Sequence, residues 1–387
     1  MGTHLLAAAR QKGDSPSMEN DPRLTRLVRS LPATVPFVGP EAHERARGAA
    51  FRARLGANES LFGPSPRAIA AMEAEAGNSW KYGDPDSHDL RETLAQHHGC
   101  RPENILVGEG IDGLLGLTVR LFLEHGDAAV TSSGAYPTFN FHVAGFGGRI
   151  EAVPYTADRE DPERLIARAR ETKAKLIYLA NPDNPMGSWH DSATIRDAVL
   201  AVPEGALLIL DEAYIDFAPE EARPALPVDD PRVLRFRTFS KAYGLAGARV
   251  GYVIGEAGLI AAFHRVRNHF GMSRISQASA LAALGDQGWL EHVISEVASA
   301  RDRIGRIAME NGLQPLPSAT NFVTIDCGAD GAFARRVLDG LMSRGIFVRM
   351  PFVAPQDRCI RISAGLPADL DALAQTLPDA LSDARKV

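Results

Sequence analysis

Arg237-Thr238-Phe239-Ser240-Lys241-Ala242-Tyr243-Gly244-Leu245-Ala246-Gly247-Ala248-Arg249 decides how this chain reads. It sets one lysine among small hydroxyl residues, with glycines and an arginine one and two turns further on. The apolar run Val233 to Phe236 leads into it. Upstream, Asp211-Glu212-Ala213-Tyr214 closes the run Ala206 to Leu210, and Asn181-Pro182-Asp183-Asn184-Pro185-Met186-Gly187 closes the run Leu176 to Ala180. Each run has the length and composition of a buried strand, and each polar cluster falls where such a strand ends. Open α/β sheets bind their ligands at that edge.

Working outward, short apolar runs alternate with helical patterns. Ser65-Pro66 opens a helix through Met72, and Asp86 or Ser87 opens another through His98. Strands are expected at 105–107, 128–130 and 250–254, with a helix over 112–123. Helical patterns return at 277–284 and 290–312. The character then changes: strands at 321–325, 346–349 and 359–363 around a helix near 332–344 suggest a smaller α+β unit. This alternation implies a mostly parallel sheet with helices on both faces. The domain bounds expected are an N-terminal extension to residue 32, expected to be flexible, a segment over 33–60 that packs on the small domain, a large domain over 61–288 and a small domain over 289–387. Met18 is a second candidate start for the chain.

The 387 residues carry a net charge of -6, which gives no reason to expect nucleic acid or an acidic membrane as partner. No apolar run approaches the roughly 20 residues that span a bilayer. Cys100, Cys327 and Cys359 are odd in number, scattered and without metal-ligand spacing. They fit a reducing compartment and argue against a disulfide framework or a zinc site.

One competing motif stands out. Gly108-Glu109-Gly110-Ile111-Asp112-Gly113 matches the G-x-G-x-x-G fingerprint of dinucleotide binding, after a strand signal and before a helix, with Glu124 and Asp127 as candidate ribose-binding acids. The same physics serves any phosphate. A glycine-rich turn into a helix N-terminus presents unpaired N–H groups and the positive end of the helix dipole.

The lysine, aspartate, tyrosine, asparagine and arginine, in this order, resemble the pyridoxal-phosphate (PLP) site of a fold-type I aminotransferase, and the histidinol-phosphate aminotransferase branch in particular. The resemblance runs from about residue 33 onward. It implies an α/β fold with a large PLP domain and a smaller domain, and ping-pong amino transfer in a cytoplasmic homodimer with shared active sites. By resemblance, Lys241 condenses with the cofactor aldehyde and later carries a proton. Asp211 holds the pyridine nitrogen protonated, and Tyr214 and Asn184 donate to the ring oxygen. The phosphate pocket combines the N–H groups at Gly110, Ile111 and Asp112 with Thr238, Ser240 and the Arg249 fork. Tyr136 stacks on the ring, and Tyr82, in Lys81-Tyr82-Gly83-Asp84-Pro85, reaches the neighbouring subunit's phosphate. Arg361 and Arg349 are expected to bind the anionic ends of substrates, with Asn58 and Asn321 lining the same region.

Departures accompany the matches. Met186 stands where the family has a threonine. Pro36-Phe37 and the segment Asn268 to Arg274 lack two tyrosines of the family, and Phe37 and Phe270 are expected to leave an apolar lining. That shifts the expected substrate from histidinol phosphate toward an aromatic amino acid, with 2-oxoglutarate as acceptor. Three alternatives compete: a PLP decarboxylase or lyase of the threonine-phosphate decarboxylase type, an NAD-dependent oxidoreductase, and a non-catalytic regulatory module on the same fold.

Overall fold

The computed structural model describes residues 21–32 and 37–386. Residues 1–20 of the extension expected over 1–32, with the candidate start Met18, and the Pro36 half of the Pro36-Phe37 pair lie outside the described residues. The described residues form two units, 21–32 and 37–386. The first holds one short helix, Arg26–Ser30, capped by the Thr25 side chain, which accepts from the Val28 N–H.

In the larger unit the strands are β1 (Ala53–Arg54), β2 (Ile105–Gly108), β3 (Ala128–Ser132), β4 (Arg149–Val153), β5 (Leu176–Ala180), β6 (Leu207–Asp211), β7 (Val233–Thr238), β8 (Gly251–Ile254), β9 (Gln314–Pro315), β10 (Phe322–Asp326), β11 (Ile346–Phe347) and β12 (Cys359–Ser363). Seven of them form one sheet in the order β2-β8-β7-β6-β5-β3-β4. Only β8 runs against the others, antiparallel to β2 and β7. β5 and β6 are buried along their whole length, as strands covered on both faces must be. Their alternation sorts the two layers. Leu176, Tyr178, Leu207 and Ile209 pack with the helix Gly110–Phe122, whereas Ile177, Leu179, Leu208 and Leu210 pack with the helices Pro162–Thr172 and Ser192–Leu200.

The expected strands and helices are present, with ends that differ. The helix that Ser65 opens runs on to Ala76, with the Ser65 hydroxyl accepting from the Ala68 N–H. Three strands carried too little apolar signal to be read: β4 is an exposed edge, and β1 and β9 are each two residues long. Ser87 precedes the helix His88–His98 in a left-handed conformation and makes no side-chain cap.

The long helix Gln287–Glu310 leads into the smaller layer. It buries Leu290, Val293, Val297, Ala300, Ile304 and Ile307 along one stripe at helical spacing. There β10 lies between β9 and β12, antiparallel to both, and the helices Gly331–Ser343 and Pro367–Ala384 pack against each other. β1 pairs in parallel with β11, and the Ser363 N–H donates to Leu55 O at 2.8 Å. These contacts join the segment before the large sheet to the small one. No helix among the described residues is long and apolar enough to cross a membrane.

Candidate active site

The carboxyl ends of β5, β6 and β7, with the loop after β3, open on one cavity of about 440 Å³. Asp211, the last residue of β6, is 5% exposed. Its Oδ2 accepts from the Tyr178 hydroxyl at 2.6 Å and its Oδ1 from the Ala213 N–H at 2.9 Å. Burial raises its pKa from 3.8 to about 6, against those two hydrogen bonds. No lysine or arginine among the described residues forms an ion pair with this buried carboxylate. Tyr178 stands inside the apolar run Leu176 to Ala180, which reads as core in the sequence. Its signal was the one hydroxyl of β5, on the strand next to Asp211 and on the same face of the sheet.

Lys241 Nζ donates to Asn58 O at 3.0 Å and lies 5.5 Å from the centre of the Tyr214 ring. The Tyr214 hydroxyl accepts from Asn58 Nδ2 at 3.1 Å and from Asn184 Nδ2 at 3.4 Å. Asn58 is buried and held by Ser363, whose hydroxyl donates to Asn58 Oδ1 at 2.8 Å. Asn184 Oδ1 accepts in turn from Arg361 Nη1. A polar chain thus runs from the lysine to an arginine on β12.

At one end of the cavity the helix Gly110–Phe122 begins. Gly110 has φ +75°, and a Cβ there would lie 2.5 Å from Arg249 Nη2. Only a glycine lets that helix end and the guanidinium approach each other. Arg249 Nη1 donates to the Ser240 hydroxyl at 3.5 Å, and Thr238 Oγ1 donates to the same hydroxyl at 2.9 Å. Arg249 Nη2 is 3.5 Å from Asp112 Oδ2. Tyr136 donates its hydroxyl to Asp112 Oδ1 at 2.9 Å, with its ring 5.9 Å from that of Phe37. Hydroxyls, a guanidinium and free helix N–H groups around one point suit a phosphate.

The opposite wall carries the other arginines. Arg361 donates to Gly56 O at 3.2 Å as well as to Asn184, and its buried Nε has no partner. Burial lowers its pKa to about 10. Arg349 donates to Val38 O at 2.7 Å, and its guanidinium lies 5.7 Å from the Phe37 ring centre. Burial lowers its pKa too. Neither makes an ion pair with a carboxylate among the described residues.

Three of the expected residues do not line this cavity, and of these Tyr82 was expected in the neighbouring subunit's site. Asn321 is 1% exposed and spends its amide on Asn58 O, at 3.0 Å, so it braces the site from behind and does not line the cavity. Tyr82 is 75% exposed and outside the cavity of its own chain, with its ring 4.5 Å from that of Phe270. Phe270, 54% exposed, is therefore no part of this chain's cavity lining, contrary to expectation. Phe37 does line the cavity.

The dinucleotide reading fails on topology. β2 is an edge strand whose only partner is the antiparallel β8, and four strands separate it from β3, which follows the helix. The fingerprint requires a tight βαβ unit of neighbouring strands. Gly110 serves the approach of Arg249 instead, and Gly108 that of the Leu114 side chain.

Comparison with known proteins agrees with this geometry. The family model for aminotransferase class I and II matches residues 53–377. A histidinol-phosphate aminotransferase from Geobacillus thermodenitrificans is 32% identical over 359 residues, 92% of this chain and 97% of that one. One from Mesorhizobium japonicum is 32% identical over 372 residues, 93% of this chain and 100% of its own. The crystal structure of the Sinorhizobium meliloti histidinol-phosphate aminotransferase in complex with pyridoxal-5'-phosphate is 55% identical and superposes with a TM-score of 0.92, covering 95% of this chain and 100% of that one. PLP fits the residues present: an unpaired buried carboxylate, a lysine amine and a phosphate-shaped cradle lie in one cavity. The chain belongs to the class I and II aminotransferases, and it is a PLP-dependent transaminase.

Proposed function

We infer that the amino donor is histidinol phosphate and the acceptor 2-oxoglutarate. The observation that carries this is the pair Arg361 and Arg349, two guanidiniums that face one cavity with only neutral acceptors. A dianionic phosphate or a dicarboxylate supplies the missing charge, and a guanidinium fork binds either in a bidentate manner. The names of the relatives point the same way. Phe37 favours a second reading, an aromatic amino acid, whose ring would rest on that apolar wall.

When bound, PLP supplies an aldehyde for the lysine and a ring that takes up electrons. The chain's own residues do the rest. Asp211 holds a proton on the ring nitrogen as a carboxylate. Lys241 Nζ would take the proton from the substrate carbon that bears nitrogen and deliver it to the former aldehyde carbon of the cofactor. Tyr214 and Asn184 hold the ring oxygen, Thr238, Ser240, Arg249 and the N–H groups after Gly110 hold the phosphate, and Tyr136 covers the ring. Asn58 holds both Lys241 and Tyr214 in place.

The working unit in this reading is a homodimer in the cytoplasm, with Tyr82 completing the partner's phosphate site. The exposed Tyr82–Phe270 pair and the three free cysteines support it. We divide each subunit into a large domain to residue 288 and a small one from 289, with 33–60 assigned to the small domain.

A panel of amino donors with 2-oxoglutarate tests the substrate. Histidinol phosphate should give the highest kcat/KM. Preference for phenylalanine or tyrosine selects the second reading, and release of CO₂ in place of glutamate selects a decarboxylase. Mixing the inactive Tyr82→Ala and Lys241→Ala chains tests the shared site. Subunit exchange should restore activity in mixed dimers, where one site carries neither defect, and no recovery after exchange removes Tyr82 from the partner's site.

A further inference from the structure

Behind Asn184 lies a buried acidic pair that amino transfer does not use. Glu160 and Asp183 are each 1% exposed. Glu160 Oε2 accepts from the Ser132 hydroxyl at 2.6 Å, and Oε1 from the Ala180 N–H at 3.0 Å. Asp183 Oδ1 accepts from the Tyr155 hydroxyl at 2.9 Å, and Oδ2 from the Met186 N–H at 3.0 Å. The Asn184 N–H also points at Asp183, and the two carboxyls are within hydrogen-bonding reach of each other. Two carboxylates so close and so deep cannot both stay charged. Asp183 has the richer set of donors and keeps the charge. Glu160 keeps the proton and donates it to Asp183.

The turn that Asp183 organises is tied in on every side. The Asp183 N–H donates to Ser188 O at 2.8 Å, and the Thr324 hydroxyl donates to Pro185 O at 2.6 Å. The His190 ring meets Glu160 O at 2.8 Å. The one side chain of this turn with polar contacts in the cavity is Asn184, which joins Tyr214 to Arg361. We propose that Glu160 and Asp183 form a carboxyl–carboxylate pair with one shared proton, which positions Asn184 and, through it, the ring-oxygen donor and the substrate arginine. Both are positioning residues; neither touches cofactor or substrate.

The titratable groups that face the pair are Tyr155, Tyr178, His190 and Arg361. Burial holds both tyrosines protonated and His190 neutral, so none of them supplies a competing charge change near neutrality. Burial and the neighbouring Asp183 push the Glu160 carboxyl well above the carboxylate range, and Asp183 itself rises to about 6. The shared proton is therefore held against a rise in pH, and its loss would leave two facing carboxylates that spread the turn.

The test measures cofactor affinity of the apoprotein by fluorescence quenching, for wild type and Glu160→Gln, from about pH 7 to about pH 10. The amide keeps the shape and the donor but has no proton to lose. The two proteins should bind PLP alike near neutrality, and wild type should weaken about tenfold more than the variant by the alkaline end. Superimposed profiles from two folded proteins overturn the proposal, as does a variant already tenfold weaker near pH 7. Asp183→Asn should weaken binding about tenfold across the range with its circular dichroism unchanged, and unchanged affinity there also overturns it. If Asp183→Asn fails to fold, the Glu160→Gln comparison still decides. The measurement uses no amino donor, so its outcome is separate from that of the substrate panel.

Discussion

On the floor of the cavity Asp211 takes its hydrogen bonds from Tyr178 on the adjacent strand and from Ala213 two residues on. On the facing wall Arg361 and Arg349 bond to Asn184, to Gly56 O and to Val38 O, contributed by segments as far as 311 residues away along the chain. The floor is a set of neighbouring strand ends, and the sheet ladder sets its geometry. The wall exists only because β1 pairs with β11 and β12 runs beside β10. Charge divides the same way. The floor buries an anion that awaits a cationic ring nitrogen, and the wall buries cations that await anions. Floor substitutions should therefore act on turnover, and wall substitutions on substrate affinity.

The floor should break hardest at Lys241. Lys241→Ala should lower kcat by about 10⁴-fold or more, since it removes both the covalent nucleophile and the proton carrier. The variant should also lose the visible absorbance of the bound cofactor and its trapping by borohydride. Turnover within tenfold of wild type would remove Lys241 from the floor altogether.

Asp211→Asn comes next, with an expected fall in kcat of about 10²–10³-fold, the scale of losing one preorganised electrostatic contact. Its effect on stability should have the opposite sign. The folded apoprotein holds the Asp211 proton up to about pH 6, above the ordinary 3.8, so the apoprotein loses stability as pH rises between those values. The amide escapes that loss, and the cofactor-free variant should melt about 2 °C or more above wild type near neutrality. Cofactor binding by wild type should weaken as pH falls through about 6, where the carboxylate is lost. A pH-independent cofactor affinity over that range contradicts the pyridinium role.

The wall should respond through KM. Arg361→Ala should raise KM in both half-reactions by about 10- to 100-fold, from the loss of a charged hydrogen-bonding group worth about 1.5–3 kcal/mol. Its kcat should change much less than that of Asp211→Asn. A pure kcat defect would erase the contrast between wall and floor.

The smallest effect sharpens the reading of the lining. Phe37→Tyr adds one hydroxyl to the wall. If the donor carries a phosphate, its KM should fall about twofold to tenfold, the scale of one neutral hydrogen bond. Unchanged KM for histidinol phosphate with poorer use of an aromatic amino acid would favour the aromatic donor.

The cofactor side was largely legible in the linear chain. Lys241, Asp211, Asn184 and Arg249 each follow or flank a buried strand, and in a parallel sheet the carboxyl ends of such strands converge by construction. Tyr178 was missed because a tyrosine in an apolar run looks like core until its neighbour's register is known. β6 sets Ile209 opposite Tyr178, and Asp211 two residues on shares that face. The shift toward an aromatic donor rested on two phenylalanines, of which Phe37 lines this chain's cavity and Phe270 does not.

What the sequence determined by itself was local: the order of strands and helices, the buried runs, and the polar residues that end them. These follow from side-chain periodicity and from backbone preference, which are properties of neighbours along the chain. Tertiary structure alone decided the single antiparallel strand, the union of Asn58 with Lys241 and Tyr214, the removal of Asn321 from the cavity, and the meeting of Glu160 with Asp183. Each of these is a contact between residues that no local pattern relates, and its energy appears only when burial forces polar groups to find partners across the fold.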